Sequence, residues 1–189
     1  MIGHDRGARL GTRLVKDHPE AVERFAALDN IPNRVIFERM NAELARGHWF
    51  FIFNNIPDLP EALIAGREEI WLRFKFSSWC YNPELFTPEE IAVYVRAYSQ
   101  PGALRGAFSD YRAGREDVAQ DQADKDIMID CPTLVLWGED FAIGGKMWDF
   151  REVWKEVAKK PTFVSIPRCG HLPHEERPEQ GGQGAPGIS

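Results

Sequence analysis

The sequence predicts an α/β protein in which a parallel sheet is interrupted by a block of helices. Three observations carry that expectation. A helix and a short apolar run stand at the front, helical patterns fill the middle, and strand–helix–strand returns at the back. The chain has 189 residues, 43% hydrophobic and 12% aromatic, enough for one buried core and a small lobe.

Residues 7–17 read as a helix with Leu10, Leu14 and Val15 as its apolar stripe. His18-Pro19 stops it, because a residue before proline avoids helical backbone. RFAALDN, residues 24–30, is an apolar run ending in a turn signal and fits a buried strand. Residues 33–46 read as one helix ending near Gly47, Asp58 to Pro60 break the chain, and residues 61–76 read as another helix. TPEE at 87–90 is a helix start, with Thr87 as cap, Pro88 in the first turn and Glu90 completing a capping box. That helix runs through Tyr98 towards Pro101, and a further one covers residues 102–111. The charge run at 115–126 reads as a solvated segment. CPTLVLWG at 131–138 is a strand, residues 147–160 an amphipathic helix, and PTFVSIP at 161–167 a strand. The expected organisation is a first core segment over 1–31, a helical cap over 32–127, a second core segment over 128–178, and a Gly-rich, disordered tail over 179–189.

The formal net charge of −6 comes without a basic stripe, so no nucleic-acid partner is expected. No apolar run has the length of a membrane span, so no membrane partner is expected either. Cys80, Cys131 and Cys169 are far apart and fit no metal spacing; reduced thiols, a cytoplasmic location and neither metal nor cofactor are the expectation.

The chemistry gathers at strand ends. Gly3-His4-Asp5-Arg6-Gly7 has the shape of G-x-S-x-G, the sharp turn that lifts a nucleophile above a sheet, with a carboxylate in place of the serine. Asp29 closes the next strand, Asp140 follows the later one, and His171 follows the last. In open parallel sheets ligands sit beyond the carboxyl ends of the strands, where a nucleophile, a base and an orienting acid would converge. Singly, each has a plainer explanation: a helix cap for Asp5, a turn residue for Asp29, a surface histidine for His171. A carboxylate nucleophile suits attack at carbon and an ester intermediate that histidine-activated water hydrolyses. Arg9, four residues after Asp5, shares its helix face, and a guanidinium fork matches a carboxylate.

These motifs resemble the α/β-hydrolase superfamily, and within it the haloacetate (fluoroacetate) dehalogenases and related epoxide hydrolases. The resemblance rests on GHDRGAR, LDNIP, GHWFF, SDYRAG, CPTLVLWG and CGHLPHEERPE and spans about residues 1–180. It implies a partial α/β-hydrolase fold, the C-terminal part of the parallel sheet, with an inserted helical cap. It implies Asp5 as nucleophile, His171 as base and Asp29 as its orienting acid. It also implies Arg6 and Arg9 as the clamp on a substrate carboxylate, and His48, Trp49 and Tyr111 as halide ligands. Asp140 stays as the alternative acid, somewhat early after Gly138 for the usual spacing. The implied activity is hydrolytic dehalogenation of a small 2-haloacid with no cofactor, and the resemblance admits a homodimer. Two alternatives stand beside it. One is an epoxide hydrolase or other α/β hydrolase, with Tyr94, Tyr98 and Tyr111 as donors. The other is a non-catalytic remnant, because only four residues precede Asp5 and the family's first strands are not in the sequence. On that count three strands and a loosely held Asp5 are expected.

Overall fold

The computed structural model describes residues 1–182. Its sheet has four parallel strands in sequence order: β1 (Ile2–His4), β2 (Phe25–Leu28), β3 (Thr133–Gly138) and β4 (Pro161–Ile166). The first of these corrects the expectation of three strands. Ile2, Gly3 and His4 pair with Ala26, Ala27 and Leu28, and the Met1 ammonium donates to the Arg24 carbonyl at 2.8 Å. Asp5 is therefore not on a loose end: its N–H continues the ladder to the Leu28 carbonyl at 3.1 Å.

Helix α1 (Arg6–Asp17) covers the expected residues, but its buried face is Ala8, Gly11, Thr12 and Val15; Leu10 and Leu14, expected in the apolar stripe, are exposed. The single helix expected over 33–46 is two, α2 (Asn33–Glu38) and α3 (Ala42–Gly47). Asn41 is the reason: in extended backbone, its side chain accepts the N–H groups of Glu43 and Leu44, starting a new helix where the pattern alone reads continuity. After α4 (Trp49–Asn55), the helix expected over 61–76 is likewise divided into α5 (Leu59–Ile64) and α6 (Glu68–Trp79). Gly66 between them sits at φ +74°, open to glycine and costly to a side chain. Helix α7 (Pro88–Tyr98) starts on the capping box read in TPEE. Helix α8 (Ala103–Ala123) absorbs most of the charge run taken for a solvated segment. Its acidic end is fixed to α1, where Asp124 pairs with Arg13 at 2.6 Å and Lys16 at 3.0 Å. The back helix is shorter than 147–160; α9 (Phe150–Lys155) begins where Asp149 caps the Arg151 and Glu152 N–H groups. Two short helices close the described chain, α10 (Pro173–Glu176) and α11 (Pro178–Gly182). The tail expected to be disordered from 179 is thus helical through 182, and its remainder lies outside the described residues.

Side-chain alternation along β2 and β3 feeds two cores. Phe25, Ala27, Val135 and Trp137 face one layer with α1 and α9, while Ala26, Leu28, Leu134 and Leu136 face the other with Ile166 and Cys169. Both central strands are buried along their whole length, as a parallel sheet requires. Helices α2 to α8 form a block between β2 and β3 in which α2, α4, α5 and α7 pack on α8 and α6 packs on α7. Among the described residues no helix is long and apolar enough to cross a membrane.

Close approach of α1 to β1 depends on Gly3, where a Cβ atom would lie 2.4 Å from the Gly7 carbonyl oxygen; at Gly7 a Cβ meets nothing within 4 Å. Gly3→Ala is expected to lower unfolding stability by about 1–3 kcal/mol through that overlap. Gly7→Ala is expected to be neutral or stabilising by up to about 1 kcal/mol. Denaturant titration of the two variants checks both signs.

Candidate active site

Three strand ends converge above the sheet. Asp5 leaves β1 at φ 47°, ψ −115°, a backbone that only special positions hold. Its carbonyl accepts the N–H groups of Ala8 and Arg9 at 3.0 and 3.3 Å, which fixes the turn into α1. Asp29 leaves β2, also at positive φ (43°). Its N–H donates to the Leu136 carbonyl at 2.7 Å and its Oδ2 accepts the Gly138 N–H at 3.2 Å. His171 arrives on the loop after β4. That loop lies against β3 and α6 only because two glycines are present: a Cβ at Gly138 would sit 2.0 Å from the Gly170 carbonyl, and one at Gly170 2.2 Å from the Trp79 carbonyl.

The imidazole lies between the two carboxylates. Nε2 is 3.4 Å from Asp5 Oδ2, and Nδ1 is 3.6 Å from Asp29 Oδ1. The second distance is an ion-pair separation, and Nδ1 has no closer hydrogen-bond partner. Trp79 and Phe141 pack on the ring with centroids at 5.0 and 4.5 Å. Burial alone would lower the His171 pKa, yet the pull of Asp29 and Asp5 outweighs it and raises the value to about 9. Burial alone would raise Asp5, but His171, Arg9 and His4 hold it well below the usual carboxylate range, so it is ionised. Asp29, in the dry wall, is pushed up by burial against the pull of His171 and the Gly138 N–H. His4 donates from Nε2 to the His171 carbonyl at 2.7 Å, and burial followed by repulsion from His171 pushes it down to about 4.

The structure divides the other expected site residues. Arg9 lines the Asp5 cavity, with one guanidinium nitrogen 4.0 Å from Asp5 Oδ1 and others on the side-chain oxygens of Asn30 and Asn33. Arg6 does not line it. It pairs with the carboxylate and carbonyl of Asp110 and lies 4.4 Å over the Tyr111 ring, so of the two arginines expected to form a clamp Arg9 alone lines this cavity. Asp140, the alternative acid, lies elsewhere: its carboxylate accepts the Arg168 N–H at 3.0 Å and faces Lys146 at 3.5 Å.

The three expected halide ligands are not gathered. His48 lines the cavity, but its Nδ1 lies 2.9 Å from the Leu44 carbonyl. A carbonyl only accepts, so Nδ1 carries the proton, and burial lowers the ring's pKa. The neutral ring is left with a lone pair on Nε2, where a halide needs a donor. Trp49 stands outside the cavity, 38% exposed, among Trp71, Phe53 and Phe74. Tyr111 lines a neighbouring cap cavity.

Sequence reasoning missed four contributors. Trp148 lines the Asp5 cavity, and its indole N–H is buried without a partner; it read as one apolar position of an amphipathic helix. Asn30 and Asn33 aim Arg9, and their only trace was two asparagines three apart after Asp29. Glu176 is buried and accepts the N–H groups of Gly170, Leu172 and Tyr81 at 3.0, 3.2 and 2.7 Å, tying the histidine loop to the cap. The cavity that Asp5, Arg9 and Trp148 line is about 40 Å³.

This site geometry stands on a chain that the model of the alpha/beta hydrolase family matches over residues 1–181. The chain belongs to that family. It is 32% identical over 176 residues to a fluoroacetate dehalogenase from Burkholderia sp., covering 91% of the chain and 57% of that relative. It is also 32% identical over 184 residues to a soluble epoxide hydrolase from Corynebacterium sp. (strain C12), covering 95% and 62%. The chain thus spans roughly three fifths of the length of these curated relatives. Among solved structures it matches ALR0039 from Nostoc sp. PCC 7120 with TM-score 0.89 and 39% identity, covering 94% of this chain and 61% of that one. It matches the epoxide hydrolase CorEH with TM-score 0.85 and 31% identity, covering 94% and 62%.

Titration of the His171 ring by NMR tests the pairing. Asp29→Asn is expected to lower its pKa from about 9, and Asp140→Asn to leave it in place. The reverse pattern would return the orienting role to Asp140. Because the folded value lies above the ordinary histidine value of 6.5, this group's stabilisation is complete below about 6.5 and is lost as pH rises through about 9. Thermal stability should fall over that window in the native chain and more weakly in Asp29→Asn.

Proposed function

We propose that this α/β hydrolase removes halide from a small 2-haloacid by way of an ester on Asp5. The observation that carries the reading is an ionised Asp5 facing His171 Nε2 at 3.4 Å, with Arg9 in the same cavity of about 40 Å³. That space suits a two-carbon acid, and the guanidinium matches its carboxylate. It also offsets the repulsion between a substrate anion and Asp5. Asp5 attacks the halogen-bearing carbon, the carbon–halogen bond breaks, and the halide leaves with the bonding pair. The Trp148 N–H and the Asn30 side-chain amide, both unpartnered in the cavity wall, are free donors available to it and stabilise charge that develops only as the bond breaks.

Ester formation then changes the base. With Asp5 esterified, its negative charge is gone, and one of the two attractions that raise His171 is removed. The imidazole releases its proton more readily and can accept one from water. That water attacks the Asp5 carbonyl carbon, the hydroxyacid departs, and the carboxylate is restored. Asp29 stabilises the imidazolium throughout. Overall, haloacid and water give hydroxyacid, halide and a proton.

An epoxide substrate is the second reading, favoured by the phenols of Tyr98 and Tyr111 in the adjoining cap cavity. Those phenols do not line the Asp5 cavity, whereas Arg9 does.

Asp5→Asn is expected to abolish halide release from chloroacetate or fluoroacetate. A single turnover of the native chain in heavy-oxygen water is expected to place the label in the Asp5 side chain, read by peptide mass. Label found first in the hydroxyacid would overturn the mechanism. Arg9→Leu is expected to reduce kcat/KM for the haloacid by about 10–100-fold, the loss of one charge-assisted contact, and to spare a neutral epoxide. Trp148→Phe, which keeps the ring packing, is expected to lower kcat about 100-fold with little change in KM.

A further inference from the structure

The cap contains a second cavity, of about 160 Å³, walled by α4, α6, α7 and α8. Lys75 lines it at 6% exposure, and its ammonium has no hydrogen-bond partner. Asn54, at 2% exposure, lines it too, and its Oδ1 is likewise unpartnered. Tyr98 and Tyr111 add phenols to the same wall. Around Lys75 stand four aromatic rings, with Nζ 3.9 Å from the centroid of Phe50, 4.4 Å from Trp79, 4.5 Å from Trp71 and 5.0 Å from Trp49.

The rings attract a cation, but their faces do not replace hydrogen-bond acceptors for three N–H groups. Burial pushes the Lys75 pKa down to about 7 against the upward pull of Asp5. A buried ammonium without a counter-ion destabilises a fold, so its place here is explained by a ligand that supplies the missing charge. The cavity's size narrows the ligand. One water needs roughly 10–15 Å³, so this space is too large for a lone halide, whereas an apolar cavity of roughly 150 Å³ accepts benzene. Leu72, Phe76 and Phe108 supply the apolar lining for such a body.

We propose that the cap cavity binds an organic carboxylate with an aromatic or compact apolar body, its anion seated on Lys75. This site is separate from the carboxylate contact at Arg9. The two cavities share Trp79, whose ring packs on Lys75 on behalf of one and on His171 on behalf of the other. A ligand in the cap therefore touches the side chain that buttresses the base.

Tryptophan fluorescence of the full chain, titrated with benzoate, tests the site without turnover, so its outcome is independent of the dehalogenase reading. Saturable quenching is expected, at least 10-fold weaker with neutral benzamide and at least 10-fold weaker with acetate. Lys75→Met keeps the contacts with the rings and removes the charge; it is expected to weaken benzoate binding at least 10-fold. The proposal is overturned if the native chain does not bind benzoate, if benzamide binds as well, or if Lys75→Met binds benzoate unchanged. It is also overturned if chloride alone displaces benzoate at equal concentration. The benzamide comparison decides the matter on the native chain even if the variant does not fold.

Discussion

One buried imidazole shared by two carboxylates governs the architecture of this protein. Asp5, Asp29, His171 and Arg9 bring two negative and two positive charges into one small volume, and the sum is zero when His171 carries its proton. That cancellation is what makes the burial tolerable, since any one of these groups alone would be costly away from water. It also explains the opposite pKa directions within the cluster: Asp5 is held down by its cations, and His171 is held up by its anions.

The scaffold is built to deliver those groups rather than to relax around them. Asp5 and Asp29 both occupy positive φ at the ends of neighbouring strands, and the parallel ladder on either side holds them there. Gly3, Gly138 and Gly170 remove side chains at three places where backbones come close enough to collide with a Cβ. The strain and the missing side chains are local; the stability that sustains them comes from the two cores on the faces of β2 and β3.

The core and the convergence of Asp5, Asp29 and His171 were legible in the sequence because their signals are local. Apolar runs ending in Asp or Gly mark strand ends, and the G-x-D-x-G pattern marks the turn at Asp5. The capping box at Thr87 was legible for the same reason. The divisions of the cap were not, because Asn41 and Gly66 act through one cap bond and one backbone angle that helical periodicity does not encode. Strand β1 escaped because three residues carry too little pattern. The cavity wall was legible only in part. Trp49 stands beside His48 in sequence but outside the Asp5 cavity, while Trp148 enters that cavity from a distant segment. Such placement follows from how the helices pack, which no short motif records. Lys75 likewise read as one charge on a helix, and only the fold encloses it in aromatic rings.

The backbone of His171 is fastened on two sides, and its carbonyl accepts the His4 Nε2 N–H from β1 at 2.7 Å. Its N–H donates to the Trp79 carbonyl at the end of α6, at 2.8 Å, and Glu176 clasps Gly170, Leu172 and Tyr81 in a single carboxylate. These bonds tie the histidine loop to the end of α6 and to β1 at once. A displacement of α6 would pull directly on the backbone that holds the imidazole between Asp5 and Asp29.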